Sequence, residues 1–297
     1  MIRGSIFAIV SGGFFYLSFA PHSYWPLSFL GAALLFFNLV ERPLRERFAI
    51  AFLTGLAFFL PLLQWSGSYV GSTPWLILSI GESCLFALVA IFRYRHRLNS
   101  ALLFSATFTL IELLRMKFPF SGFGWGRIGF TQLTPLSSMY PVLGITGITF
   151  ITLLISTSAL VKKRVAVIVA IVAVFFSSLI TRLEMGSATT KPLSIAAVQG
   201  GVDQLGLGFN DRAFSVLNRH ITKTKALVKS VDLVVWPENS SDIDPIRDTK
   251  ANQAIKELIA AIKTPLLVGA VEETSLGPSN SSLLFDHNGE EIGRAHV

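Results

Sequence analysis

Few residues in this chain have the means for catalysis, and one is set apart by its neighbours. In the stretch DLVVWPENSSDIDP, from Asp232 to Pro245, the carboxylate of Glu238 follows an apolar run directly after Trp236 and Pro237. Open α/β sheets place ligand crevices at the carboxyl ends of their strands, so a Glu at such an exit is a candidate general base. Pro237 fixes its own φ and biases Trp236 away from helix, which holds the carboxylate at a strand-to-loop exit. A solvated loop Glu is the plainer reading of the same position. Asp242 and Asp244 follow closely, but no His or Cys accompanies them and Asp-Pro commonly starts a turn, so they read as loop structure and no metal is expected. His220, His287 and His296 lack metal-ligand spacing. The single cysteine, Cys84, lies inside an apolar run, where a thiol reads as a small buried hydrophobe. Trp236 reads either as packing or as the lining of a substrate cleft.

Two textures of sequence must position these groups. Of the 297 residues, 52% are hydrophobic and 14% charged, and the mean hydropathy of +0.59 points to a membrane protein. Apolar runs cover roughly residues 5–20, 24–40, 48–65, 73–92, 101–116, 135–161 and 165–182, most of them near the ~17–25 residues of a spanning helix. The first two are interrupted by Gly12, Gly13, Pro21 and Pro26, so a re-entrant hairpin is the alternative there. Basic residues cluster in every second loop: Arg3; then Arg42, Arg45 and Arg47; then Arg93, Arg95 and Arg97; then Lys162, Lys163 and Arg164. The positive-inside tendency makes the N-terminus cytoplasmic, and seven spans then place everything after Arg182 on the outer face. The net charge of +7 is therefore read as topology, and no nucleic-acid partner is expected.

The connection from Lys117 to Thr134 is long, aromatic and glycine-rich, and the alternation places it on the outer face. Phe118, Phe120, Phe123, Trp125 and Phe130 suit headgroup depth, and Arg127 suits a lipid phosphate. This makes Trp125 and Arg127 candidate substrate-binding residues, with an interfacial aromatic belt and a snorkelling Arg as the bland alternative. Two carboxylates lie inside apolar runs. Glu112 is expected to pair with Arg115 three residues on, whereas Glu82 has no local partner and reads equally as an interhelical bond or a functional group.

After a linker at 185–191 the apolar runs shorten and charges appear between them. A strand is expected at Leu193–Gln199, a helix at Asp211–Lys229, a strand at Asp232–Trp236 and a helix at Asp248–Ile262. PLLVGAVEE and SSLLFD read as third and fourth strands, with HNGEE as a turn. Alternating strands and helices predict an α/β layer with parallel pairing. The expected domains are thus a polytopic helical membrane domain over 1–184 and an α/β domain over 192–297.

VVWPEN, with IAAVQGGVDQ before it and PLLVGAVEE and SNSSLLFDHNGE after it, resembles the carbon-nitrogen hydrolase (nitrilase) superfamily. FPFSGFGWGRIGFTQLTPLSSMYPVLGITGITF, Phe118 to Phe150, resembles the membrane segment ahead of the hydrolase domain in the apolipoprotein N-acyltransferase family, and WPENSSDIDP looks most like its actinobacterial members. The resemblance covers nearly the whole chain. It implies a nitrilase-like αββα sandwich for the second domain and a bacterial inner-membrane enzyme that passes an acyl chain from a phospholipid to the N-terminal amine of a diacylglyceryl-modified lipoprotein. It implies a Glu-Lys-Cys machinery with a thioester acyl-enzyme, in which Glu238 is the general base, and no metal or other cofactor. Lys250, Lys256 and Lys263 do not match the family's lysine. That lysine and the cysteine are expected beyond Val297, so the chain reads as an amino-terminal fragment with an incomplete hydrolase domain, inactive by itself. A membrane-anchored amidase, or a non-catalytic scaffold or transporter supported by Glu82 and Glu112, is the rival reading.

Overall fold

The computed structural model describes residues 2–133, 136–185, 192–201, 214–227, 230–275 and 277–296. The chain divides into two compact units, Met1–Ala188 and Thr189–Val297. Of the linker expected at 185–191, residues 186–191 lie outside the described residues.

Each apolar run of the first unit forms a helix: α1 (Ile2–Ser18), α2 (Pro26–Leu39), α3 (Leu44–Leu62), α5 (Ser72–Phe86), α6 (Leu98–Arg115), α7 (Tyr140–Val161) and α8 (Lys163–Met185), with a two-turn α4 (Gln64–Val70) between α3 and α5. Among the described residues four stretches are long and apolar enough to cross a membrane: Ser72–Ile91, Leu98–Arg115, Ser137–Val161 and Lys163–Arg182. At about 1.5 Å per residue, the 17 residues of α1 and 14 of α2 reach only about 25 and 21 Å, short of the roughly 30 Å hydrocarbon core. The reason is local, because Pro21 and Pro26 bracket the turn between them. The run at 135–161 is likewise not one straight helix, since Gly144 stands at φ 60° and ψ 179° inside α7.

Phenylalanine fills the interior of this unit. Phe15, Phe36, Phe58, Phe59, Phe86, Phe104 and Phe108 are buried, with ring centroids 5.2 Å apart for Phe86 and Phe108 and 5.4 Å for Phe36 and Phe104. Offset and edge contacts of this kind let rings fill a core without a flexible side chain. Gly12 lets α1 approach α3, because a Cβ there would lie 2.4 Å from the Thr54 carbonyl. In contrast α8 keeps Ile168, Ile171 and Phe175 exposed, an apolar surface suited to lipid.

The second unit is a mixed five-stranded sheet in the order β1 (Ile195–Ala197), β2 (Leu233–Val235), β3 (Leu266–Thr274), β4 (Gly277–Phe285), β5 (Glu291–His296). The first three strands pair in parallel, as the alternation of strands and helices predicts, and the last three antiparallel. The turn after β4 is found at the expected place, but Glu291–His296 is a strand that the sequence reading missed. It has a single large apolar residue, Ile292, and gains its structure from pairing with β4. Of the helix expected at 211–229, α9 (Ser215–Lys225) is described, while 211–213, 228 and 229 lie outside the described residues. The other helix, α10 (Thr249–Ile262), starts where expected because the Asp248 carboxylate accepts from the backbone N–H groups of Lys250 and Ala251.

Both helices cover the same face of the sheet. Val234, Trp236, Leu266, Val268, Ala270, Leu283 and Phe285 pack with Leu217, Ile221, Ile255, Leu258 and Ile259 in one core. Strand alternation turns Leu267, Gly269 and Val271 of β3 to the other face, where Val271 is exposed.

Candidate functional site

Glu238 is exposed, two residues beyond Trp236 and past the carboxyl end of β2. Its loop is held hard against β3. The Ser240 backbone N–H and hydroxyl both donate to the Gly269 carbonyl, at 2.9 and 2.8 Å, and Ser241 forms a parallel bridge with Ala270. Only glycine fits at 269, since a Cβ there would meet the Pro237 carbonyl oxygen at 2.3 Å and the Glu238 Cα at 2.8 Å. That Cβ direction is the face opposite the helices, so the carboxylate belongs to that side of the sheet. There the Asn280 side-chain amide donates to Glu238 Oε1 at 2.5 Å. Asn280 pairs with Val271 in the β3–β4 register and shares its face. Sequence reasoning missed this residue; the strand alternation through SNSSLLF, set against PLLVGAVEE, carries the signal.

The other residues near this motif are bonded within the unit. Trp236 is buried, its indole N–H donates to Thr224 at 2.8 Å, and its ring lies 5.4 Å from that of His220. The structure thus places Trp236 in the helix-side core, on the face opposite Asn280. Asp242 accepts from the backbone of Val216 and Leu217 at the start of α9. Asp244 accepts from Ile246, Arg247 and Glu273; burial opposes its ionisation, but these donors and the Arg247 charge hold the carboxyl below its usual range. His220 is buried, and burial pushes its imidazole below its ordinary value against the opposing pull of the Val216 carbonyl and Asp242. Among the described residues no group of three or more His, Cys, Asp or Glu is arranged to hold a metal ion.

In the membrane unit the carboxylates pair differently from expectation. Glu112 is not the partner of Arg115. Instead Arg115 Nε donates to Glu82 across helices, its Nη2 donates to the Trp125 carbonyl at 2.8 Å, and its guanidinium stacks 4.5 Å from the Phe59 ring centroid. Glu112 accepts from the Ile128 N–H at 2.7 Å and the Thr149 hydroxyl at 2.8 Å, with Arg127 Nε 3.7 Å away. Arg127 is itself buried and donates to the Thr146 hydroxyl at 2.7 Å. Its guanidinium thus has partners on two helices of its own unit, Thr146 on α7 and Glu112 on α6. Helical spacing places Glu112 near Arg115, but each carboxylate finds its donors on another element. Cys84, expected to be buried, is exposed on α5.

Trp125 is 52% exposed, and its ring lies 5.6 Å from that of Trp65. Both line a cavity of about 470 Å³ together with Phe19, Leu62, Phe130 and Leu133. It is formed by the α1–α2 connection, the end of α3 with the start of α4, and the loop after α6.

Residues 11–158 match the family model of the apolipoprotein N-acyltransferase N-terminal domain. The chain is 34% identical to the apolipoprotein N-acyltransferase of Mycolicibacterium smegmatis, an alignment that covers 89% of this chain and 51% of that protein. It is 25% identical to the Haemophilus influenzae enzyme of that name, with 95% of this chain and 59% of the relative aligned. For Geobacter metallireducens the identity is 26%, over 99% of this chain and 63% of the relative. The chain therefore spans about half to three-fifths of the length of these relatives. The matched membrane half and the relatives that run on through the α/β unit lead to one conclusion: the chain belongs to the apolipoprotein N-acyltransferase family.

Proposed function

We propose that this protein takes part in N-acylation of lipoproteins at a bacterial inner membrane, with a phospholipid as acyl donor, the α-amine of a diacylglyceryl-cysteine as acceptor and Glu238 as general base. The observation that carries the reading is the placement of Glu238: exposed, at the carboxyl end of a parallel strand, clamped at Gly269 and oriented by the Asn280 amide. An exposed carboxylate held by a neutral amide can accept and return a proton, which a carboxylate locked into an ion pair cannot do as readily.

In the family's scheme Glu238 takes the proton of a cysteine thiol, and the thiolate attacks the ester carbonyl of the phospholipid. The tetrahedral intermediate, its oxyanion held by a lysine and backbone donors, collapses to a thioester as the lysophospholipid alkoxide leaves with the proton from Glu238. The lipoprotein amine then attacks the thioester, Glu238 accepts the amine proton, the thiolate departs and an amide remains. Cys84 has no part in this scheme. The α/β unit is assigned the nitrilase-like sandwich, whose second layer would cover the sheet face that carries Glu238 and Asn280. The membrane unit is assigned an odd number of crossings, the N-terminus cytoplasmic and the α/β unit outside, on the alternation of basic loops. Trp125 is assigned to lipid contact through the cavity it lines.

The test is a two-substrate assay of the intact protein and its Glu238→Gln variant, with phospholipid plus diacylglyceryl peptide in one arm and small amides in the other. Acyl transfer lost in the variant supports the proposal. Transfer that survives Glu238→Gln, or hydrolysis of small amides without transfer, overturns it.

A further inference from the structure

Before residue 98 the chain has seven arginines and no lysine. Topology asks only for positive charge, and lysine supplies that as well as arginine does. Arginine alone offers a planar fork that grips a phosphate through two parallel bonds. Three of the seven are committed within the unit. Arg47 is buried and donates to the Ala90 and Arg42 carbonyls at 3.0 and 2.7 Å, Arg42 pairs with Glu46 at 2.8 Å, and Arg93 pairs with Glu41 at 3.3 Å. Arg3, Arg45, Arg95 and Arg97 are exposed and have no carboxylate partner among the described residues.

A row of ring contacts gathers three of these four. Arg3 and Phe7 lie one turn apart on the same face of α1. The Phe7 ring is 6.4 Å from that of Phe37 near the end of α2, and Phe37 is 6.4 Å from the ring of His96, which stands between Arg95 and Arg97. Hydrogen bonds tie the same ends together, since the Asn38 amide donates to the Gly4 carbonyl at 2.8 Å and the Glu41 N–H to the Tyr94 carbonyl at 3.1 Å. The outcome is an exposed strip with two chemistries. Phe7 and Phe37 are 37% and 49% exposed, Val10 follows on the same side of α1, and three guanidinium groups stand at the end of the strip. A soluble anion has no use for the rings. A phospholipid uses both parts, with its phosphate at the arginines and an acyl chain along Phe7 and Val10.

We propose that Arg3, Arg95 and Arg97 form a headgroup site for an anionic phospholipid that is a resident of the membrane unit and not a substrate. The site lies at the opposite end of α1 from the Trp125 cavity, whose lining on that helix is Ser18. It goes beyond the acyl-transfer proposal and does not depend on it. The bound lipid neutralises three like charges and holds together the start of α1, the end of α2 and the segment before α6. A zwitterionic headgroup brings its own cation to the guanidinium groups, so a headgroup with net negative charge is preferred.

The test is native mass spectrometry of the whole chain released from detergent, with phosphatidylglycerol or phosphatidylethanolamine of the same acyl chains added in increasing amounts. The expected result is saturable retention of phosphatidylglycerol at a concentration about tenfold lower than for phosphatidylethanolamine. Arg3→Gln, Arg95→Gln and Arg97→Gln together should raise the phosphatidylglycerol concentration needed by roughly 10²-fold. Arg3→Lys, Arg95→Lys and Arg97→Lys together keep the charge that topology needs, so this variant should fold as the parent does and still lose several-fold of the preference. Arg45→Gln removes an equal charge outside the strip and should change nothing. Equal retention of the two lipids by the parent, or an undiminished preference in both triple variants, overturns the site. A loss from Arg45→Gln equal to that from Arg95→Gln alone also overturns it, because the attraction is then a diffuse field. Displacement of phosphatidylglycerol by excess inorganic phosphate assigns the arginines to a soluble anion and overturns the lipid as ligand. Glu238→Gln should leave retention unchanged, so a failure here and a failure of the acyl-transfer proposal are read separately.

Discussion

The two units treat their carboxylates in opposite ways. In the membrane unit Glu82 and Glu112 are buried, each satisfied by an arginine or by backbone and hydroxyl donors from a neighbouring element. In the α/β unit Glu238 is exposed and, among the described residues, accepts from a neutral amide. Burial makes an unpaired charge costly, so the membrane carboxylates are committed to partners and serve as struts. Exposure removes that demand, and what holds Glu238 in place is the backbone clamp at Gly269. The lesson is that a carboxylate inside an apolar run is not thereby the reactive one; here the best candidate for chemistry is an exposed one held by a neutral amide.

Substitutions can break this contrast, and the largest effect is expected at the least buried group. Glu238→Gln should lower acyl transfer by about 10²–10⁴-fold, the usual worth of a general base, with no change in thermal midpoint. A midpoint that falls with activity would make Glu238 a structural group. Glu82→Ala should do the reverse and destabilise the membrane unit by about 3–5 kcal/mol, because Arg115 is left buried without its carboxylate. Thermal unfolding in detergent checks this, and Glu82→Met with Arg115→Met should recover much of the loss. Gly269→Ala should cost about 1–3 kcal/mol in overpacking and displace the Glu238 loop, so that activity falls even below the melting range. Asp248→Ala, which removes the α10 cap and touches neither site, should cost only about 1 kcal/mol.

The smallest expected effect is a pH dependence. His220 has a folded-state value below its ordinary 6.5, chiefly through burial, so the unfolded chain binds a proton that the folded one refuses. Stability should therefore be unaffected above that value and fall as pH drops below it. Chemical denaturation at pH 7.5 and 5.5 should show this slope reduced in His220→Gln. An unchanged slope would assign the acid sensitivity elsewhere, for instance to Asp244, whose lowered carboxyl value makes its contribution vanish only at more acidic pH.

Much of the fold was legible in the residues themselves. Each apolar run became a helix, since hydropathy over that length leaves few alternatives, and Asp248 marked the start of α10 to the residue. Strands β2 and β3 and the turn at HNGEE followed from short apolar runs and turn chemistry. Strand β5 did not, because Glu291–His296 has no apolar alternation and owes its form to β4. The site was half legible. Glu238 stood out by its place after a strand and a proline, whereas Asn280 reaches it only through a register that joins residues 42 apart.

Sequence alone determined the local and one-dimensional properties: which segments are apolar enough for a membrane, where helices start, which loops are basic, and which carboxylate ends a strand. It also carried the family resemblance that the comparisons bear out. Tertiary structure alone decided which charge meets which. Spacing favours Glu112 with Arg115, but the folded helices bring Arg115 to Glu82 and Arg127 towards Glu112. A buried ion takes the partner that best offsets its lost hydration, and that partner is set by packing in space, which no separation along the chain records.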